Sequence, residues 1–222
     1  MSKKRKRFPH SRVAKSMPLY INNQASLTKL PADIWNKYTG LTLRNYSGNV
    51  KFAGTLVSEN NIVIDGCPNI TTLPAIKAGG HIYIFDCPNL TKLSGNLEAG
   101  GRIIIAGCPK LAKLPAKAVA KRSFSIYECP KVVALPRELK VGTMIELKNC
   151  TSLSALPNHL EANAITVKNC PSITGLPRHT TAKTLSLIGC PGISKLPKEI
   201  EISEPIRLRD CANLTALPKG IG

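Results

Sequence analysis

The sequence predicts a solenoid of parallel β-strands, and three observations carry that prediction. Eight cysteines recur at near-constant spacing: Cys67, Cys87, Cys108, Cys129, Cys150, Cys170, Cys190 and Cys211, with gaps of 20 or 21 residues. Each is preceded by an apolar-x-apolar pair and followed by apolar residues three and six positions on. No other feature of the chain is as regular, and a fixed period of this length is the mark of stacked supersecondary units.

The apolar pairs are Ile62/Ile64, Ile82/Ile84, Ile103/Ile105, Phe124/Ile126, Ile145/Leu147, Ile165/Val167, Leu185/Leu187 and Ile206/Leu208. Alternation with one polar or small residue between is a strand signal. Ile-rich composition suits a pleated surface. One strand per unit, always entered in the same sense, gives a parallel sheet. At ~4.8 Å between neighbours, ten strands would span roughly 45 Å. Aromatics make up only 5% of the residues, which a stacked array of aliphatics accommodates because each unit buries its face on the next.

After the strand comes a turn. The residue before each cysteine is Gly66, Asp86, Gly107, Glu128, Asn149, Asn169, Gly189 or Asp210. Gly, Asn and Asp tolerate left-handed backbone; Glu128 is the exception. Then come an apolar residue such as Leu90, Leu111 or Leu153 and, usually, a Leu-Pro step, as in Leu73-Pro74, Leu114-Pro115 and Leu156-Pro157. A further apolar position often follows, as in Leu139, Leu160, Ile200 and Ile221. Two degenerate copies precede the regular ones. Leu19, Ile21, Gln24, Leu27, Leu30 and Pro31 place Gln in the cysteine slot; Leu41, Leu43 and Tyr46 place Tyr there. The register slips by one after Tyr46 and recovers at Gly54-Thr55-Leu56. The total is ten copies over residues 18–222, after a tail of residues 1–17.

The frame apolar-x-x-apolar-x-apolar-x-x-Cys-x-x-Leu-x-x-Leu-Pro resembles the leucine-rich repeat, in the short Leu-Pro form of bacterial effectors, with Cys in the usual Asn slot. The resemblance implies an α/β solenoid of about ten 20–22-residue repeats, with parallel strands on a concave face. A period near 20 residues leaves no room for a full helix behind each strand, and Pro favours extended backbone. An irregular, extended back with little helix is therefore expected. A parallel β-helix is the alternative fold.

Eight cysteines in equivalent slots read as an inward packing column, since Cys behaves as a small buried hydrophobe with a weak donor. A catalytic thiol needs one cysteine made different by a neighbouring base. Zinc needs ligand spacing such as Cys-x-x-Cys, which does not occur. His10, His81, His159 and His179 form no evident constellation with Asp or Glu. Gly79-Gly80 and Gly100-Gly101 read as turns into the next strand, because no Gly-Lys-Ser/Thr ending follows. No catalytic residue, metal or cofactor is assigned, and the chain is read as a non-enzyme.

Binding is assigned to the outward strand positions. Tyr83, Phe85, Ile104 and Tyr127 make an aromatic and aliphatic patch with His81 and Arg102 at its edge. Lys148, Lys168, Arg207 and Arg209 make a basic flank. Exposed aromatics beside cations have the composition of an interface centre. The tail carries Lys3, Lys4, Arg5, Lys6, Arg7, Arg12 and Lys15 and no acid. A block of like charge is expected to be disordered when free and to neutralise a polyanion. The chain as a whole is +18, from 31 Lys and Arg against 13 Asp and Glu. Without the seven tail cations, 24 remain against 13 acids, so the array itself is +11.

The expectation is an interaction scaffold that binds a partner protein, its tail tethered to a polyanion or an acidic surface, as in a bacterial effector or a phage assembly component. The alternative is binding of nucleic acid, such as ribosomal RNA or packaged DNA. No apolar run is long enough to span a membrane, and no apolar stretch follows the basic N-terminus as a secretory signal requires. The expected location is a reducing compartment: cytoplasm, host cytoplasm for an effector, or virion for a phage component. The last copy ends at Lys219-Gly220-Ile221-Gly222 with no amphipathic cap, so association through the edge near Ile206–Leu208 is also expected.

Overall fold

The computed structural model describes residues 17–22, 38–50, 52 and 54–218. They form a parallel β-solenoid of about eight regular turns, one per cysteine, extended at its N-terminal side by two further strands. The principal sheet runs Leu19–Ile21, Leu41–Arg44, Ile62–Asp65, Ile82–Phe85, Ile103–Ala106, Ser123–Tyr127, Met144–Lys148, His159–Lys168 and His179–Ile188. Glu201–Ile202 and Arg207–Arg209 both pair with the last of these. Every pairing is parallel, and apolar slots meet in register: Ile62 with Ile82, Ile82 with Ile103, Ile103 with Phe124 and Phe124 with Ile145.

A second parallel sheet forms the opposite wall. Its strands are Leu56–Ser58, Ile76–Ala78, Leu97–Ala99, Lys117–Ala120 and Glu138–Val141. In the next two turns this wall and the principal sheet merge into single ten-residue strands, His159–Lys168 and His179–Ile188. A small third sheet pairs Thr72–Leu73 with Lys92–Leu93 at the Leu-Pro step, and isolated bridges continue that line.

The α/β expectation is therefore corrected: among the described residues there is no helix. The back is extended and without helix among the described residues, as expected, but a regular ladder of strands stands there in place of an irregular path. In having parallel sheets on two walls the molecule follows the β-helix alternative. The reason lies in short alternations on the far side of each turn, after the Leu-Pro step where there is one: Leu56-x-Ser58, Ile76-x-Ala78, Leu97-x-Ala99 and Ala118-x-Ala120. Each puts two residues inward, and the second is small and buried, so this wall packs close to the first.

One continuous apolar core fills the tube. Two residues of each principal strand, the cysteine and one or two leucines stack on their counterparts 20 or 21 residues away. The only fully buried aromatics among the described residues are Tyr46 and Phe124. Eight side chains fill the expected cysteine column, all with free thiols; Cys211, in the last described turn, is half-buried and the other seven are buried.

Two turn devices hold the corners. The residue before the cysteine is left-handed in every turn from Asn45 to Asp210, Glu128 included, with φ between 47° and 62°. The cysteine then opens a β-turn whose carbonyl accepts the N–H three residues on: Cys87 from Leu90 at 3.1 Å and Cys108 from Leu111 at 3.0 Å. Proline after the cysteine suits the second position of such a turn. At the far corner, a Cβ on Gly79, Gly100 or Gly142 would stand 2.0 Å from the carbonyl oxygen of the turn below. These glycines serve close stacking, as the turn reading expects.

Candidate interaction surface

The outward side chains of the principal sheet form ranks, because in-register pairing aligns equivalent slots. One rank runs Val63, Tyr83, Ile104, Ser125, Glu146, Thr166, Ser186, Arg207. The next runs Asp65, Phe85, Ala106, Tyr127, Lys148, Lys168, Ile188, Arg209. Eight of the residues expected from sequence, Tyr83, Phe85, Ile104, Tyr127, Lys148, Lys168, Arg207 and Arg209, thus lie in these two ranks, and Arg102 immediately precedes the strand that carries Ile104. Tyr83, Phe85, Ile104 and Tyr127 come together on three adjacent strands, and Lys148 follows Tyr127 directly.

The patch is more ordered than scattered exposed rings would be. Tyr83 stacks on Phe85 with centroids 5.6 Å apart and planes at 17°. His81 stacks on the other side of Tyr83 at 5.4 Å. All three are half-buried, as are Ile104 and Tyr127. Ser125, in the same rank as Tyr83 and Ile104, is only 1% exposed. Tyr127 donates its hydroxyl proton to the Glu146 carboxylate. Burial and then that hydrogen bond push the Tyr127 phenol above its ordinary pKa.

His81 has a structural duty that sequence reading missed. Its Nδ1 accepts the backbone N–H of Arg102 at 2.9 Å, and its backbone N–H donates to Asn61 Oδ1 at 2.8 Å. The ring extends the main-chain ladder past the sheet edge. Burial lowers its pKa, helped by the cations of Arg102 and Arg122, in keeping with a neutral ring that accepts at Nδ1.

The basic flank divides by neighbour. Lys148 and Lys168 are register partners, and among the described residues no carboxylate pairs with either. Arg209 is engaged with Asp210 at 3.3 Å, and Arg44, at the other end, with Asp65 at 3.0 Å. Arg207 and Arg209 are separated from the lysines by Ser186 and Ile188. The tail cations Lys3, Lys4, Arg5, Lys6, Arg7, Arg12 and Lys15 lie outside the described residues, as do Gln24 and Ile221.

Each cysteine Sγ from Cys67 to Cys211 donates to the carbonyl two residues back, at 3.2–3.5 Å. Hydrogen bonding between neighbouring thiols, with burial, pushes Cys87 and Cys108 up to about 12. Cys67 and Cys170 are raised by the same causes, and Cys190 by burial. One thiol departs from the rest: hydrogen bonding with Cys170 pulls Cys150 below its ordinary pKa, against its burial.

Comparison of the chain with protein-family models and with curated proteins finds no match. Among the described residues no helix is long and apolar enough to cross a membrane.

Proposed function

We propose that this protein is a non-enzymatic interaction module, a helix-free parallel β-solenoid whose Leu-Pro units resemble leucine-rich repeats, that binds a partner protein through the strand face. The observation that supports it most directly is the ordered Tyr83–Phe85 stack beside Ile104 and Tyr127, with Arg102 at the rim. Pre-ordered aromatics bind with little loss of side-chain entropy, and Tyr and Arg anchors dominate interface energetics. The basic tail tethers the module to a polyanion or an acidic surface. An effector or a phage assembly component would use both elements together, and the column of free thiols suits a reducing compartment.

The test is affinity capture with the full chain, a Tyr83→Ala/Phe85→Ala variant and a chain lacking residues 1–17, each with and without nuclease. The reading expects a partner lost by roughly tenfold or more with the aromatic variant and retained after nuclease. A partner set unchanged by the aromatic substitutions overturns it.

A second reading, nucleic-acid binding, is favoured by the unpaired Lys148–Lys168 step beside Tyr127, where a base stacks and phosphates follow. It predicts affinity that falls steeply with salt and capture abolished by nuclease.

A further inference from the structure

The wall that carries the Leu-Pro steps differs in composition from the other two. It consists of the seven residues after each cysteine, from 68–74 in the first regular turn to 212–218 in the last. These eight segments hold five lysines and no acidic or aromatic residue, so all 13 acids of the chain lie elsewhere. The lysines are Lys92, Lys110, Lys113, Lys131 and Lys195, and each is exposed. Among the described residues none of the five is ion-paired.

Four of them fall on three adjacent turns. Lys92 and Lys113 are partners in a parallel bridge. Lys110 and Lys131 hold the second slot after the cysteine in successive turns. Turns stand ~4.8 Å apart, so like charges are crowded here, and the wall has no carboxylate to offset them. Lys110 donates to Asn89 Oδ1 at 2.7 Å, and its ammonium keeps two further protons for a ligand. Past Lys92 the wall opens into a concavity lined in part by Asn69, Thr71, Thr72 and Ser94. Hydroxyls and amides, together with Lys, are the usual donors to phosphate oxygens.

We propose that the Leu-Pro wall binds the phosphate backbone of a nucleic-acid duplex lying along the solenoid axis, centred on Lys92, Lys110, Lys113 and Lys131. Each strand of a duplex carries one phosphate per ~3.4 Å of axis. The lysines step ~4.8 Å per turn on flexible stems, so each ammonium reaches a phosphate without exact register. With no ring on the wall, nothing stacks on unpaired bases, which favours a duplex over a single strand. Phosphate contacts carry no sequence information, so the binding is non-specific. An acidic protein fits less well, because an interface centre needs apolar or aromatic anchors. The only exposed large aliphatics of the wall, Val133 and Leu217, stand four turns apart. Duplex binding here is independent of Tyr83, Phe85, Lys148 and Lys168 on the strand face.

The test titrates full-length protein into a fluorescent mixed-sequence DNA duplex across a salt series. Binding should weaken steeply with salt. Lys92→Gln/Lys110→Gln/Lys113→Gln/Lys131→Gln should weaken it by roughly tenfold or more. It should also make the slope of log affinity against log salt shallower by about 3–4, since each lost phosphate contact removes ~0.9. Lys77→Gln/Lys121→Gln/Lys140→Gln/Lys183→Gln removes the same charge from other walls and should change both far less. In the wild type, the duplex should protect the four wall lysines, and not Lys121 or Lys140, from acylation by an amine reagent. Equal losses in the two fourfold variants reduce the binding to net charge and overturn the proposal. So does duplex binding that vanishes on deletion of residues 1–17 and is unmoved by the wall variant, or a wall that takes heparin and no duplex.

Discussion

Raising the pH should destabilise this protein through its cysteine column. The thiols of Cys87 and Cys108 are fully buried, and the next thiol in the column, with that burial, lifts each to about 12. In the unfolded chain a thiol titrates near ~8.5. The folded pKa is raised, so the neutral form is favoured in the native state. The resulting stability is fully present below the unfolded value and is lost as pH rises toward the folded one. Between pH 7 and pH 10 the unfolded thiol loses its proton while the folded thiol keeps it, a difference of about 1.5 pK units, or ~2 kcal/mol per thiol. Two such residues amount to ~4 kcal/mol, a large part of the 5–15 kcal/mol typical of a folded domain. The assay is urea unfolding followed by circular dichroism at pH 7, 8, 9 and 10. Stability should be nearly flat to pH 8 and then fall with increasing slope. Cys87→Ala/Cys108→Ala should be less stable at pH 7 but should show a shallower fall. A flat profile to pH 10, or native thiols that react promptly with an exposed-thiol reagent at pH 8, would refute the packing-column account.

Three other substitutions test the inward column and the corners. Tyr46 fills a cysteine slot with its hydroxyl buried and without a partner among the described residues, so Tyr46→Phe should stabilise by ~1–2 kcal/mol in thermal unfolding. Glu128 holds φ 52°, a left-handed conformation that costs an L-residue ~1–2 kcal/mol, partly offset in glycine by ~0.4–1 kcal/mol of extra unfolded-state entropy. Glu128→Gly should therefore stabilise by ~0.5–1 kcal/mol, whereas Gly107→Ala, whose Cβ would stand 2.1 Å from Asp86 Oδ1, should destabilise. Equal and like-signed effects at the two positions would contradict the ladder.

Much of this molecule was legible in its sequence. The cysteine period set the turn length, the apolar-x-apolar pairs located the principal sheet, and the Gly, Asn and Asp residues marked the left-handed corners. Even Glu128 takes the corner conformation, because parallel pairing on both sides enforces it. The second wall was legible only in part. Its signal is a three-residue alternation such as Ile76-x-Ala78, and alanine does not distinguish a strand from a turn. The acid-free Leu-Pro wall was also within reach: once the chain is aligned on its cysteines, the seven residues after each contain no Asp or Glu.

The sequence alone determined which residues recur, and hence the inward column and the outward ranks, because a constant period stacked in parallel puts like on like. Only the tertiary structure decided what closes the back of each turn, since that depends on how near two walls approach over small side chains. It alone showed that Tyr83 and Phe85 stack, that His81 is tied to the main chain through Nδ1, and that Ser125 is covered. These depend on rotamers chosen among neighbours about 20 residues away, which a one-dimensional pattern does not specify.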